Sequence, residues 1–157
     1  MAELIECVLE GIPPRRVFEL LEEMIGLSQG VIRHQCTEDM LFFPKGRLSQ
    51  DAVTTFLALH SSQVLILFLK QMKIGGRETF DTQILLINHR NQYRIEWNIE
   101  VPSLDKNRLS HLVPELHKWC KNTASSLGIK HFYGGMEPAD DKDTRFFTND
   151  QRGPLVF

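Results

Sequence analysis

Carboxylates with few cations among them are the most concentrated chemistry in this chain. Gly134 to Phe147 reads Gly-Gly-Met-Glu-Pro-Ala-Asp-Asp-Lys-Asp-Thr-Arg-Phe-Phe. Glu137, Asp140, Asp141 and Asp143, with Asp150 downstream, lie close in sequence to Lys142, Arg145 and Arg152. Acids spaced this way could hold Mg²⁺ or Ca²⁺, could act with His131 as acid and base, or could face a cationic partner. The simplest alternative is a solvated loop in which Asp140 or Asp141 caps a turn. A helix-loop-helix calcium site is excluded, because Asp141-x-Asp143-x places Arg145 at the third ligand position and no glycine follows. Two further acids, Glu96 and Glu100, fall on the polar side of an alternating segment.

The other candidates are weaker. His34-x-Cys36 and His117-x-x-Cys120 are the close His/Cys pairs, but a structural zinc site usually takes four ligands. Cys120 also falls on an apolar stripe, where a thiol packs as a small hydrophobe. Cys7 falls in a strand pattern, and no G-x-S-x-G nucleophile turn occurs. Gly75-Gly76 and Gly134-Gly135 are isolated pairs that read as turns, with neither dinucleotide nor P-loop spacing. His111 and Glu115 are four apart on a helical stretch, a spacing typical of a surface contact. Tyr93, Trp97, Arg90 and Arg94 cluster as a single-strand nucleic-acid reader might, but Glu96 and Glu100 share the wet face and repel phosphate. No nucleic acid, metal or cofactor is expected.

The elements that must position these residues follow from periodicity. Residues 3–9 read as a strand. Pro13-Pro14 opens a helix whose stripe is Val17, Leu20, Leu21, Met24 and Ile25, with Gly26 placed to end it. Residues 30–36 and 39–44 read as two short strands. Ser49 caps a helix starting near Gln50, with Asp51 in its first turn. Val64–Leu69 is favoured as a buried strand over a helical continuation. Tyr93, Ile95, Trp97, Ile99 and Val101 alternate with Arg94, Glu96, Asn98 and Glu100, and Ile84–Ile87 supplies a hairpin partner across Asn88–Asn91. Leu109, Leu112, Val113, Leu116, Cys120 and Leu127 mark a long helix stopped by Gly128, and Pro114 within the pattern either lies near the helix start or kinks it. Ile129–Tyr133 resumes strand character. Joints are expected at 73–79, at 102–107 and from 134 onward. Phe146-Phe147 either fold onto the core or anchor a partner, and the first is favoured.

The expected fold is α+β: one domain over 1–157, a mixed or antiparallel sheet with about three helices on one face, and an acidic C-terminal segment 134–157. The 157 residues suit one domain with a sizeable core. A net charge of −2 leaves no global positive field for nucleic acid. The acid-interrupted start is not a signal peptide, no segment suits a membrane span, and three unpaired cysteines point to a reducing compartment, so a cytoplasmic location is expected.

Every catalytic template fails, while acids are in surplus. The reading that follows is a non-enzymatic protein-binding module that occludes a basic partner, a toxin or effector domain. Its expected contacts are Glu96, Glu100, Glu137, Asp140, Asp141, Asp143 and Arg145. Toxin-neutralising immunity proteins fit this description by analogy of class. The alternatives are a carboxylate-dependent enzyme, metal-assisted or not, with a site around 131–145, and a subunit of a homo-oligomer joined through a sheet edge or Phe146-Phe147.

Overall fold

The computed structural model describes residues 3–76 and 78–156. Met1, Ala2, Arg77 and Phe157, which fall in the start, the 73–79 joint and the C-terminus read above, lie outside them. Alternating apolar residues shape the strands Glu3–Glu10 (β1), Gln63–Lys73 (β3), Thr79–His89 (β4) and Gln92–Val101 (β5). Shorter strands are Val31–Cys36 (β2), His131–Met136 (β6), Arg145–Thr148 (β7) and Gln151–Arg152 (β8). They form one sheet in the order β2-β3-β4-β5-β1-β6-β7-β8, antiparallel at every pair. The first strand in sequence thus lies between β5 and β6, which separates the long hairpin from the C-terminal strands.

Three helices, Pro14–Gly26 (α1), Gln50–Leu57 (α2) and Lys106–Leu127 (α3), bury their stripes in one cluster with Ile5, Cys7 and Leu9 of β1 and the matching residues of the other long strands. Trp97 of β5 meets Trp119 of α3 edge-on at 4.9 Å. The helices therefore cover one face of the sheet, and the residues that alternate with these point to the other.

Local chemistry explains the boundaries. Ser49 accepts from the Ala52 N–H and starts α2. Asp105 accepts from the Arg108 N–H at 2.7 Å and starts α3 ahead of the expected apolar stripe. The helix runs through Pro114, and Gly128 at φ 73° ends it. The β4–β5 turn is only Arg90-Asn91, both at positive φ, as a tight hairpin of matching twist requires. Asn88 is in the strand, contrary to its reading as turn. It is buried, and its side-chain amide donates to the carbonyls of Phe56 and Leu59 around the end of α2.

Four further expectations are corrected. Residues 39–44 form no strand; the segment is irregular because Phe42, fully buried, plugs the core against Phe56. Gly26 stays within α1, and Leu27 caps it in helical conformation. Gly134-Gly135 is not a turn but the middle of β6, where a Cβ on Gly135 would lie 2.3 Å from the Thr144 carbonyl oxygen. The segment after 134 is no joint, for it adds β7 and β8 to the sheet. Val64–Leu69 is strand, as favoured, and Phe146 and Phe147 are buried, which removes them as an anchor for another subunit.

Candidate binding face

The uncovered face of the sheet takes its chemistry from three neighbouring strands. β1 contributes Glu6, Val8 and Glu10; β5 contributes Arg94, Glu96, Asn98 and Glu100; β6 contributes His131 and Tyr133. The register sets Glu10 between Arg94 and His131, and Val8 between Glu96 and Tyr133. Side chains opposite one another in an antiparallel pair lie within contact range, so a charged lattice follows from strand order.

Arg94 is its centre. Its guanidinium donates to Glu96 through Nε at 3.0 Å and again through Nη2, to Glu10 at 3.4 Å, and to Asp140 at 3.3 Å. One cation thus faces three carboxylates. The hydroxyl of the buried Tyr133 donates to Asp140 and lies 3.1 Å from Glu10 Oε1. His131 Nδ1 pairs with Glu10 Oε2 at 2.8 Å. The Tyr133 hydroxyl, chiefly, with Arg94 and Arg145, holds the Asp140 carboxyl below the usual aspartate range, while burial pushes the Tyr133 phenol up.

The loop after β6 is fastened beneath this patch. Arg145 donates through Nε to the Ala139 carbonyl at 2.8 Å and stacks its guanidinium 3.8 Å from the Tyr133 ring centre. Glu6, 6% exposed, accepts from the Ala139 N–H at 3.2 Å. Burial, with the nearby charges of Glu96, Asp140 and Glu137, pushes its carboxyl upward. Val8, Tyr133 and Ala139 close a small apolar cluster under the loop.

The structure divides the residues expected from sequence. Glu96 and Asp140 come together on Arg94, and Glu100 is exposed on the same face. Glu137, Asp141 and Asp143 are exposed on the loop, where Asp141 caps a 3₁₀ turn by accepting from the Asp143 N–H. Arg145 is buried and spends its donors on the loop carbonyls of Ala139 and Asp140 and on the Thr148 hydroxyl of β7. Sequence reasoning missed Glu6 and Glu10 as members of the patch, although they alternate with Ile5, Cys7 and Leu9. It weighed Arg94 only toward nucleic acid.

The acids of 137–143 do not converge: Asp140 turns to Arg94 and Tyr133, and Asp141 to its own turn. Among the described residues no group of three or more His, Cys, Asp and Glu is placed to share a metal ion. His117 stacks on Phe147 at 4.3 Å and bonds to the Asn149 carbonyl oxygen at 2.6 Å, while Cys120 is buried against Cys7. The Cys7 thiol is pushed up by its contact with Cys120 and by burial, the reverse of an activated nucleophile. His34 lies between Phe42 and Phe43, and burial raises the Cys36 thiol. No described helix is long and apolar enough to cross a membrane.

The sheet face left open by the helices thus carries a lattice of charged side chains. A family model described as PABL017 Cdi1I immunity protein matches residues 3–152. The chain belongs to this immunity protein family. A similar solved structure is a chain of the crystal structure of the toxic C-terminal tip of CdiA from Pseudomonas aeruginosa in complex with immune protein. It shares 25% identity and a TM-score of 0.86, over 99% of this chain and 100% of that one. No curated protein matches this chain. As a member of an immunity protein family, the chain fits the protein-binding reading of its sequence.

Proposed function

We propose that this immunity protein neutralises a toxin domain by binding it directly and covering a basic surface of it, without catalysis of its own, in the cytoplasm of the cell that makes it. The observation that carries this reading is family membership across residues 3–152. The related crystal structure, titled as a toxin tip in complex with immune protein, supports a protein partner. The negative patch on the open sheet face supports the partner's basic character, since charge complementarity speeds encounter and sets register.

In this reading Glu96 and Asp140, held in place by Arg94, and the exposed carboxylates of Glu100, Glu137, Asp141 and Asp143 face the toxin. Arg145 contributes by holding the loop rather than by contact. Glu100, Glu137 and Asp143 can be changed without touching the lattice or the Asp141 cap. Replacing these three with Lys and measuring association with the cognate toxin domain tests the proposal. The expected result is association slower by about tenfold or more at low salt, converging with the parent at high salt. An unchanged rate with unchanged salt dependence refutes the acidic face as the contact.

A further inference from the structure

The helices cover one face of the sheet, yet two strands are apolar on both. β3 reads Val-Leu-Ile-Leu-Phe-Leu over 64–69, and β4 reads Ile-Leu-Leu-Ile over 84–87. Leu65, Leu67, Leu69, Ile84 and Leu86 take the helix side and are buried in the core. The pleat turns the alternate residues, Val64, Ile66, Phe68, Leu85 and Ile87, to the open face. All five are half-buried, and they lie outside the core cluster and its partly buried margin. A continuous apolar run is the composition of a strand covered on both faces. β5 differs, for Arg94, Glu96, Asn98 and Glu100 give it the composition of a strand with one face in water.

Register makes the five residues one surface. Val64 is opposite Ile87, Ile66 is opposite Leu85, and Phe68 is next along β3 on the same face. One margin is polar: Gln35 of β2 is opposite Ile66, and the Arg33 guanidinium lies over the Phe68 ring, its Cζ 3.9 Å from the centre. The other margin is the charged lattice, with Arg94 opposite Ile87 and Glu96 opposite Leu85. An apolar centre inside a polar margin is the arrangement of protein interfaces, and monomers rarely leave a contiguous apolar patch of any size to water.

We infer that this β3–β4 patch, centred on Ile66 and Leu85, seats an apolar protrusion of the toxin domain flanked by basic side chains. This rests on the reading that a toxin docks on the open face, and it names the contact that holds the complex once the carboxylates have steered it. The occupant follows from charge. The patch continues into a lattice in which three carboxylates share one guanidinium, so apolar groups that settle there meet acids at their edge and are complemented by cations beside them. Buried apolar contacts at an interface centre act mainly on dissociation, whereas charges at the margin act mainly on association.

The test uses the full chain and its cognate toxin domain. Ile66→Thr with Leu85→Thr keeps a good strand former at one position and places one at the other, makes the patch polar, and touches no core residue; it is expected to fold, as thermal unfolding checks. Its complex is expected to dissociate about a hundredfold faster or more, with association changed by less than about threefold. Ile66→Val with Leu85→Ile, which keeps the patch apolar, is expected to stay within about threefold of the parent in both rates. In parallel, methyl-labelled parent chain is titrated with the toxin domain, and the methyl signals of Val64, Ile66, Leu85 and Ile87 are expected to shift; this arm needs no substitution and reads the patch even where the Thr pair does not fold. Unchanged dissociation of a folded Thr pair, or silent patch methyls with a toxin that binds, overturns the inference and leaves the docking proposal standing. A dimer of the parent in sedimentation that the Thr pair abolishes assigns the face to a second copy and also overturns it. A toxin domain that does not bind the parent at all defeats the docking proposal, and this inference with it.

Discussion

Tyr133→Phe removes one hydroxyl from the middle of the charged lattice and changes little else. The ring stays, so the Val8 and Ala139 packing and the stacked Arg145 stay with it. What is lost is the hydroxyl's donation to Asp140, with Glu10 also in reach. A hydrogen bond to a charged group contributes about 1.5–3 kcal/mol. The Asp140 side chain is 60% exposed, and water replaces part of the loss, so a cost of about 1–2 kcal/mol at neutral pH follows. The pH dependence is diagnostic. Asp140 is held below the usual aspartate range, first by this hydroxyl. A depressed carboxyl contributes stability that is present above its unfolded value, about 3.9, and is lost as pH falls through the folded one. The gap between parent and variant should therefore be full at neutral pH and shrink in acid. Urea unfolding at pH 7 and near pH 3 measures it, and carboxyl-detected NMR should show Asp140 titrating higher in the variant. A cost under about 0.3 kcal/mol, or an equal cost at both pH values, refutes the claim that this hydroxyl stabilises a charged Asp140.

Glu6→Gln keeps an oxygen for the Ala139 N–H and removes a buried charge, so it should raise the melting temperature at neutral pH. Because burial raises the Glu6 carboxyl, its adverse effect appears as pH rises through the folded value; the gain should vanish below about pH 4, where both states are neutral. Gly135→Ala should cost about 2 kcal/mol or more in urea unfolding, because its Cβ meets backbone atoms of Thr144 and Arg145 that cannot rotate away. Phe42→Ala, at a position read from sequence as part of a strand, should cost about 3–5 kcal/mol as a core cavity forms, against little if the segment were a surface strand.

In the proposed reading, the carboxylates of the open face serve binding at some expense of stability. Glu6 is buried where its charge is disfavoured, and Arg94 faces more carboxylates than it can neutralise. A surface that steers a basic partner needs this uncompensated charge, and a fold selected for stability alone would lose it.

Local pattern determined the long hairpin, α1, the capped start of α2 and the end of α3 at Gly128, while it only favoured a strand at 64–69 and left the start of α3 open. Each rests on a period or cap contained within a dozen residues, whose physics is the same wherever the segment lies. It also marked the carboxylates as the dominant chemistry and assigned Glu96 and Glu100 to a wet face. Tertiary structure decided which acids meet which cations. Glu10 and His131 are 121 residues apart, and Arg94 and Asp140 are 46 apart; they meet because β1 inserts between β5 and β6. Alternation tells which way a side chain points, but its neighbour across the sheet depends on strand order, and that order is set by pairing between distant segments that no local period encodes.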